Sequence, residues 1–204
     1  MKPRFSTSAV ILVAFLIAAT SFTFNRTFAA STLEANVGAT VADFKLPDAS
    51  GKQHSLASLK GAKGTALIFV STQCPVSNAY NERMAKLAAD YKAKGITVIG
   101  INSNKAEDAA TITKHAGDNK LSFVILKDAG NKIADQLGAQ VTPEVFLLDA
   151  SNKVVYRGRI DDARNGTNIT ANDTRDAMDA VITGIPVKTA QAKAFGCSIK
   201  RVAE

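Results

Sequence analysis

Residues 66–91 read ALIFVSTQCPVSNAYNERMAKLAADY, and this stretch decides the fold. Its first five residues are apolar without interruption, which predicts a strand buried on both faces. After Pro75, apolar residues recur at steps of three or four, which predicts one buried face of an α-helix: Val76, Tyr80, Met84, Leu87 and Tyr91. A polar turn that contains Cys74 joins the predicted strand to the predicted helix.

Strands and helices are predicted to alternate along the rest of the chain. A short hairpin is expected over 43–56, and residues 159–173 are expected to form a long loop. Further strands are expected at 96–101, 123–126, 145–148 and 154–157, and helices at 106–115, 132–137 and 174–183, the last capped by Asp173 or Thr174. This order predicts an α/β fold, a mixed sheet flanked by helices with an N-terminal hairpin and a C-terminal tail.

Composition excludes several classes of protein. The chain has 204 residues and is 46% hydrophobic, which excludes a mainly disordered protein. Two Cys exclude a disulfide-dense scaffold and a four-Cys zinc site, and two His without ligand spacing leave no metal site to predict. The net charge is +7, but the sequence contains no run of basic residues, so no nucleic-acid partner is expected. No phosphate-binding or dinucleotide motif is present, and no cofactor is predicted.

The N-terminus has the pattern of an export signal. Lys2 and Arg4 precede an uninterrupted apolar core over 9–19, and the small residues Ala29 and Ala30 follow. Cleavage after Ala29 would define a signal peptide over 1–29 and remove three basic residues. The alternative is an uncleaved membrane anchor, although the core is shorter than the roughly 20 residues of a full span. We therefore expect an exported chain, in the periplasm, where both cysteines are redox-competent.

Cys74 is the main candidate for chemistry. Pro75 suits the first position of a helix, which places Cys74 at the N-cap, facing free N–H groups and the positive end of the helix dipole. Such sites favour the thiolate, which is the nucleophile toward disulfides and peroxides. The alternative interpretation is a small buried apolar residue.

Thr142-Pro143 is the second candidate element, directly before a predicted strand. A proline at this place can be cis and leave backbone groups free to pair with another chain. The alternative is an ordinary trans proline at the start of a strand.

Together, Cys74-Pro75 and Thr142-Pro143 resemble the active-site turn and the cis-Pro loop of the thioredoxin-fold superfamily. Within it, the chain resembles the peroxiredoxin-like redoxins of the alkyl hydroperoxide reductase and thiol-specific antioxidant group. The stretches that carry this resemblance are CPVSNAYNERM at 74–84, INSN at 101–104, GRIDD at 158–162 and GCSIK at 196–200. The resemblance covers about 37–186 and implies a thioredoxin-like sheet flanked by helices, with Cys74 as the attacking thiol.

The sequence also departs from the motifs of the redoxins that it resembles. Ser77 stands where dithiol redoxins carry the second Cys of C-x-x-C, so Cys74 has no local disulfide partner. Ser71 replaces the peroxiredoxin Thr and Leu67 the peroxiredoxin Pro. The peroxide-binding Arg has no clear counterpart, and the candidate cations are Arg83, Arg157 and Arg159. The Asp161-Asp162 pair is interpreted as a solvated turn rather than as an acid or base.

Cys197 lies in a C-terminal tail, 187–204, beyond a domain predicted over 36–186. The tail Cys is a candidate resolving thiol that attacks an oxidised Cys74. Two alternatives stay open, a static structural disulfide and an unpaired thiol.

Two function classes follow from these observations. The first is an exported thiol oxidoreductase that acts on a peroxide or on protein disulfides and thiols, with a thiol electron donor and a membrane contact only if the signal is uncleaved. The second is a redoxin-fold binding or assembly protein of the cell envelope without turnover. A partner bound equally well by a Cys74→Ser variant would favour the second.

Overall fold

The computed structural model describes Met1 and residues 36–202. The export signal predicted over 1–29 lies, apart from Met1, outside the described residues. Within the described part of the chain, no helix has the length and apolar character that crossing a bilayer requires.

The described residues form a mixed α/β structure built around a five-stranded sheet. The strands are β1 Lys45–Pro47, β2 Gln53–Ser55, β3 Gly64–Phe69, β4 Ile96–Asn102, β5 Ile125–Lys127, β6 Val141–Thr142, β7 Glu144–Asp149, β8 Val154–Gly158 and β9 Cys197–Ser198. The helices are α1 Leu56–Leu59, α2 Pro75–Ala79, α3 Asn81–Lys92, α4 Ala109–Asp118, α5 Lys132–Leu137 and α6 Asp173–Thr183.

The central sheet has the strand order β5-β4-β3-β7-β8. β3 runs parallel to β4, and β4 to β5, whereas β7 is antiparallel to both β3 and β8. Two small antiparallel pairs stand apart from it, the hairpin β1-β2 and the pair β6-β9. The predicted mixed sheet and the predicted N-terminal hairpin are thereby confirmed.

β3 is buried on both faces, as its apolar sequence predicts. Ala66 and Ile68 face one core, to which α3 and α6 contribute apolar side chains. Leu67 and Phe69 face a second core, to which α1 and α5 contribute. Because alternate side chains of a strand point to opposite faces, β3 contributes side chains to both of the cores that pack the helices against the sheet.

Several predicted elements differ in their bounds. The helix after Cys74 is interrupted at Tyr80, which ends α2 and begins α3. α4 begins at Ala109 rather than at 106, because the Asp108 side chain accepts a hydrogen bond from the Thr111 N–H and caps the helix there. The N-cap of α6 is Asn172, so the prediction of Asp173 or Thr174 is wrong.

Three short elements were not predicted: α1, β6 and β9. Each has two to four residues, which is too few for a periodic pattern to be detected. Of these, β6 and β9 form the part of the fold that positions the second cysteine.

Candidate functional site

Cys74 lies at the N-cap of α2, as predicted, directly after the turn that follows β3. The Ser77 N–H donates a hydrogen bond to the Cys74 Sγ atom at 3.3 Å. Pro75 occupies the first turn of α2, where a missing N–H costs nothing. Cys74 is only 3% exposed, so its sulfur lies at a helix start but beneath the surface.

Thr142, at the start of the cis-Pro loop, also contacts the sulfur of Cys74. The Thr142-Pro143 peptide bond is cis, as expected. The Cys74 Sγ–H donates to the Thr142 carbonyl oxygen at 3.2 Å, and Thr142 itself is buried. The cis-Pro loop and the helix start therefore meet at one atom.

Cys197 lies in the register position opposite Thr142, in the antiparallel pair of β6 and β9. Because the Cys74 sulfur contacts the Thr142 carbonyl, this register brings both cysteines to the same residue of β6. Both cysteines are unbonded thiols in this structure, and Cys197 is half-buried. The fold thus brings together two thiols that the sequence places in separate segments.

The two thiols differ in acidity. Burial by itself would raise the pKa of Cys74, but hydrogen bonds from the Cys197 side chain, the Ser77 N–H and the Thr142 side chain together lower it below the usual value. The pKa of Cys197 is raised, chiefly by its hydrogen bond to Cys74 and then by burial. In the reduced pair, Cys74 is the thiol that ionises first.

A buried carboxylate supports the turn that carries Cys74. The Ser71 Oγ–H donates to Glu107 at 2.5 Å and the Thr72 N–H donates to Glu107 at 2.7 Å, while the Ser71 hydroxyl oxygen accepts the Cys74 N–H at 3.1 Å. The Ser77 hydroxyl oxygen accepts the Ser71 N–H at 3.2 Å. Ser71 and Ser77 therefore fix the backbone around Cys74, and neither hydroxyl makes a hydrogen bond to the sulfur.

Glu107 was missed by the sequence analysis. It lies in the loop between β4 and α4 and is 2% exposed, with Asn102 Nδ2 as a further donor. A single acidic residue in a polar loop gives no sequence signal of burial, because acidic residues are rarely buried unless paired. Only the packing of β4 beside β3 places it under the Cys74 turn.

The three arginines proposed as cations for peroxide chemistry are engaged with carboxylates elsewhere. Arg83 binds Asp161, and the two other ion pairs are Arg157 with Glu144 and Arg159 with Asp173. Asp161 is 3% exposed, so the interpretation of that pair as a solvated turn is wrong for this residue. Its burial follows from the Arg83 ion pair and a hydrogen bond from the Tyr80 hydroxyl.

Residues 36–202 contain no group of three or more His, Cys, Asp or Glu side chains that could hold a metal ion. The chemistry that this site can perform is that of two adjacent thiols, which together can lose two electrons and form a disulfide.

Three comparisons place the chain among known proteins. The model of the AhpC/TSA family matches residues 37–157. The thiol-disulfide oxidoreductase ResA of Halalkalibacterium halodurans is 32% identical over 152 residues, which cover 74% of this chain and 82% of that protein.

Two solved structures are similar to this chain in fold. A hypothetical protein of Sinorhizobium meliloti 1021 is 38% identical with a TM-score of 0.78, over 83% of this chain and 96% of that one. The thioredoxin domain of a thiol-disulfide oxidoreductase from Bacteroides vulgatus has a TM-score of 0.53 at 19% identity, over 60% of this chain and 87% of that one. The second similarity concerns the fold alone, and it agrees with the predicted thioredoxin-like sheet.

Proposed function

The chain belongs to the AhpC/TSA family, and on that premise we propose that it is an exported thiol-disulfide oxidoreductase whose redox couple is Cys74 and Cys197. Its family and its similarity to ResA identify it as a thiol-dependent oxidoreductase of the thioredoxin fold. The observation that carries the choice of couple is the register of β6 with β9, which sets Cys197 opposite Thr142 and beside the Cys74 thiol.

The proposed reaction is a two-electron exchange. The reduced pair gives two electrons to a substrate disulfide, which becomes two thiols, and the chain closes a Cys74–Cys197 disulfide. A thiol donor then reverses the change. The lowered pKa of Cys74 supports this cycle, because a thiolate both attacks and leaves a disulfide more readily than a thiol.

Disulfide exchange is favoured over peroxide reduction. Stabilising the charge that develops on a peroxide calls for a cation beside the attacking sulfur. The candidate cations Arg83, Arg157 and Arg159 are bound to carboxylates instead. The Ser71 hydroxyl is likewise engaged with Glu107 rather than with the sulfur.

Export is part of the proposal because a disulfide couple works in an oxidising compartment. The basic start, short apolar core and small residues of 1–29 support a cleaved signal, and an uncleaved anchor would hold the same domain at the membrane. Cleavage after Ala29 would leave a mature chain that contains the redoxin domain over 36–186 and the tail over 187–204.

Peptide mass spectrometry without reduction tests the proposed couple. The reduced mature chain is treated with one equivalent of glutathione disulfide, and the expected product is a Cys74–Cys197 disulfide with release of two glutathione molecules. Cys74→Ser should lose all turnover of disulfide substrate in the presence of a thiol donor, while Ser198→Ala, an exposed neighbour in β9, should keep it. A wild-type chain that never forms the intramolecular disulfide would overturn the proposal.

Binding of a partner without turnover would instead support the second function class, a binding protein of the cell envelope.

A further inference from the structure

The C-terminal tail has an apolar anchor on each side of Cys197. Two positions after it, Ile199 is 5% exposed and packs in the second core. Two positions before it, Phe195 is half-buried and packs against the first core, the one that Ala66 and Ile68 face. The β6-β9 pair has only two residues in each strand. Because so short a pair is marginal by itself, the position of Cys197 depends on the side chains to either side of it.

Phe195 differs from Ile199 because it contacts the segment that carries Cys74. Its ring centroid lies 6.3 Å from that of Tyr80, and the two ring planes are tilted by 47°. Tyr80 is 1% exposed and ends α2, the helix that begins directly after Cys74. Aromatic rings whose centroids are about 4.5–7 Å apart attract each other beyond the burial of their area. The contact between Tyr80 and Phe195 therefore joins the two cysteine-bearing segments without involving either sulfur.

Two arginines pack on these two rings. The guanidinium carbon of Arg83 lies 3.5 Å from the Tyr80 ring centroid, and that of Arg164 lies 5.0 Å from the Phe195 ring centroid. Both distances are within the range of about 6 Å over which an aromatic ring attracts a cation. We call these four side chains the Phe195 stack: Tyr80, Arg83, Arg164 and Phe195.

The Phe195 stack includes the long loop that follows β8. Arg83 pairs with the buried Asp161 at 2.6 Å. Its guanidinium also donates to the backbone carbonyl oxygens of Ala163, at 2.7 Å, and of Arg164, at 3.2 Å. These bonds fix the loop backbone at the residue whose side chain packs on Phe195. The contacts thus form a closed ring, from the start of α3 through the loop to the tail and back to α3.

We propose that Phe195 is a positioning residue of the redox couple. Its stack holds the tail in place while both thiols are reduced, and it thereby raises the effective concentration of Cys197 at Cys74. Docking of a tethered group increases this quantity without any new contact at the reacting atoms. The inference rests on the proposed function, since it concerns how readily those two thiols close their disulfide.

Exchange with glutathione gives a measure of this effective concentration. The reduced chain and one glutathione disulfide become the Cys74–Cys197 disulfide and two glutathione thiols. The chain loses two electrons and two protons, and glutathione disulfide gains them. A tail that is docked for less of the time closes its disulfide less readily, so the equilibrium constant falls and the reduction potential of the couple becomes more positive.

Titration of the mature chain in glutathione buffers tests this inference, with the disulfide fraction read by peptide mass spectrometry after the free thiols are alkylated. Phe195→Leu keeps an apolar side chain but removes the ring, and it should lower the equilibrium constant by about fivefold to tenfold. A tenfold decrease corresponds to a potential about 30 mV more positive. Phe195→Tyr keeps the ring and should stay close to the wild-type value. An unchanged constant in Phe195→Leu, or an equal decrease in Phe195→Tyr, would overturn the inference.

A core substitution separates positioning from general stability. Phe123 packs in the first core beside Gly100, so Phe123→Leu makes the same change away from the tail. It should lower the free energy of unfolding, measured by denaturant titration, and leave the glutathione equilibrium constant unchanged. If Phe123→Leu lowers that constant as much as Phe195→Leu does, the effect is one of stability and Phe195 is not a positioning residue.

Two exposed cations give a second comparison, in variants that remove no core side chain. Arg164→Ala removes the cation on Phe195 and should lower the equilibrium constant by about twofold to fivefold. Lys94→Ala removes a cation 4.6 Å from the Tyr91 ring, at the other end of α3, and should leave the constant unchanged. Equal constants in these two variants would contradict the role of the Phe195 stack. A wild-type chain that stays reduced at every glutathione ratio would instead overturn the proposed function.

Discussion

The turn around Cys74 and the tail around Cys197 reach the same site by different physical means. The turn is built from neighbours in sequence: β3, the N-cap, Pro75 and the Ser77 N–H lie within a few residues of the sulfur. The tail is held by pairing with β6 and by contacts to Asn104 and Lys105, which are distant in sequence. Local geometry therefore places one thiol at the start of a helix, and long-range packing sets the position of the other.

This contrast explains why the redox pair needs no C-x-x-C motif. Ser77 occupies the place of a second cysteine, where its N–H donates to the Cys74 sulfur and its hydroxyl oxygen accepts the Ser71 N–H. The second thiol, Cys197, belongs to the C-terminal tail, in β9, which pairs with the strand that directly precedes Pro143. Three ways to test the contrast follow, from the largest expected effect to the smallest.

Glu107→Gln should weaken the turn. The carboxylate accepts hydrogen bonds from Ser71, Thr72 and Asn102 while buried, and an amide cannot accept from all of them with both of its polar ends. We expect a loss of about 1–3 kcal/mol in the free energy of unfolding, measured by denaturant titration.

The matched control for this change is Glu82→Gln in the first turn of α3, where the side chain is exposed. It should change stability by less than about 0.5 kcal/mol. Equal effects of the two substitutions would mean that the turn does not depend on its buried carboxylate.

Cys197→Ala should raise the pKa of Cys74. Burial already pushes this pKa upward, and the hydrogen bond from Cys197 is the largest influence that lowers it. The ultraviolet absorbance of the thiolate, followed against pH, should therefore appear at higher pH in Cys197→Ala than in Ser198→Ala. An unchanged titration would show that α2 alone sets the acidity of Cys74 and that the tail contributes nothing to it.

Arg201→Ala should have the smallest effect. Arg201 pairs with Asp135 at 2.7 Å, but both side chains are about a third or more exposed, so water screens the pair. We expect a loss of under about 1 kcal/mol in unfolding free energy and an unchanged yield of the Cys74–Cys197 disulfide, read by non-reducing peptide mass spectrometry. A variant that loses the disulfide would show that side-chain charge, and not backbone pairing, holds the tail.

Much of the fold is predictable because its signals are local. The apolar run at β3, the Pro75 helix start and the helix over Lys132–Leu137 follow from residue types within one or two turns of chain. The start of the predicted tail is not separate from the domain, because Ala190 and Ala192 form backbone hydrogen bonds with Arg157. Their pairing depends on Gly158, where a side chain would collide with the Ala192 backbone, and no local pattern reveals such an approach.

The sequence by itself determined that Cys74 begins a helix, because a cap and a following proline act on their immediate neighbours. It also determined that Cys74 has no partner at position 77. Only the tertiary structure decided that Cys197 is the adjacent thiol, that Glu107 lies buried beneath the turn and that Arg83 is committed to Asp161. Those three facts depend on which distant segments pack together, and packing is a property of the whole folded chain rather than of any short stretch of it.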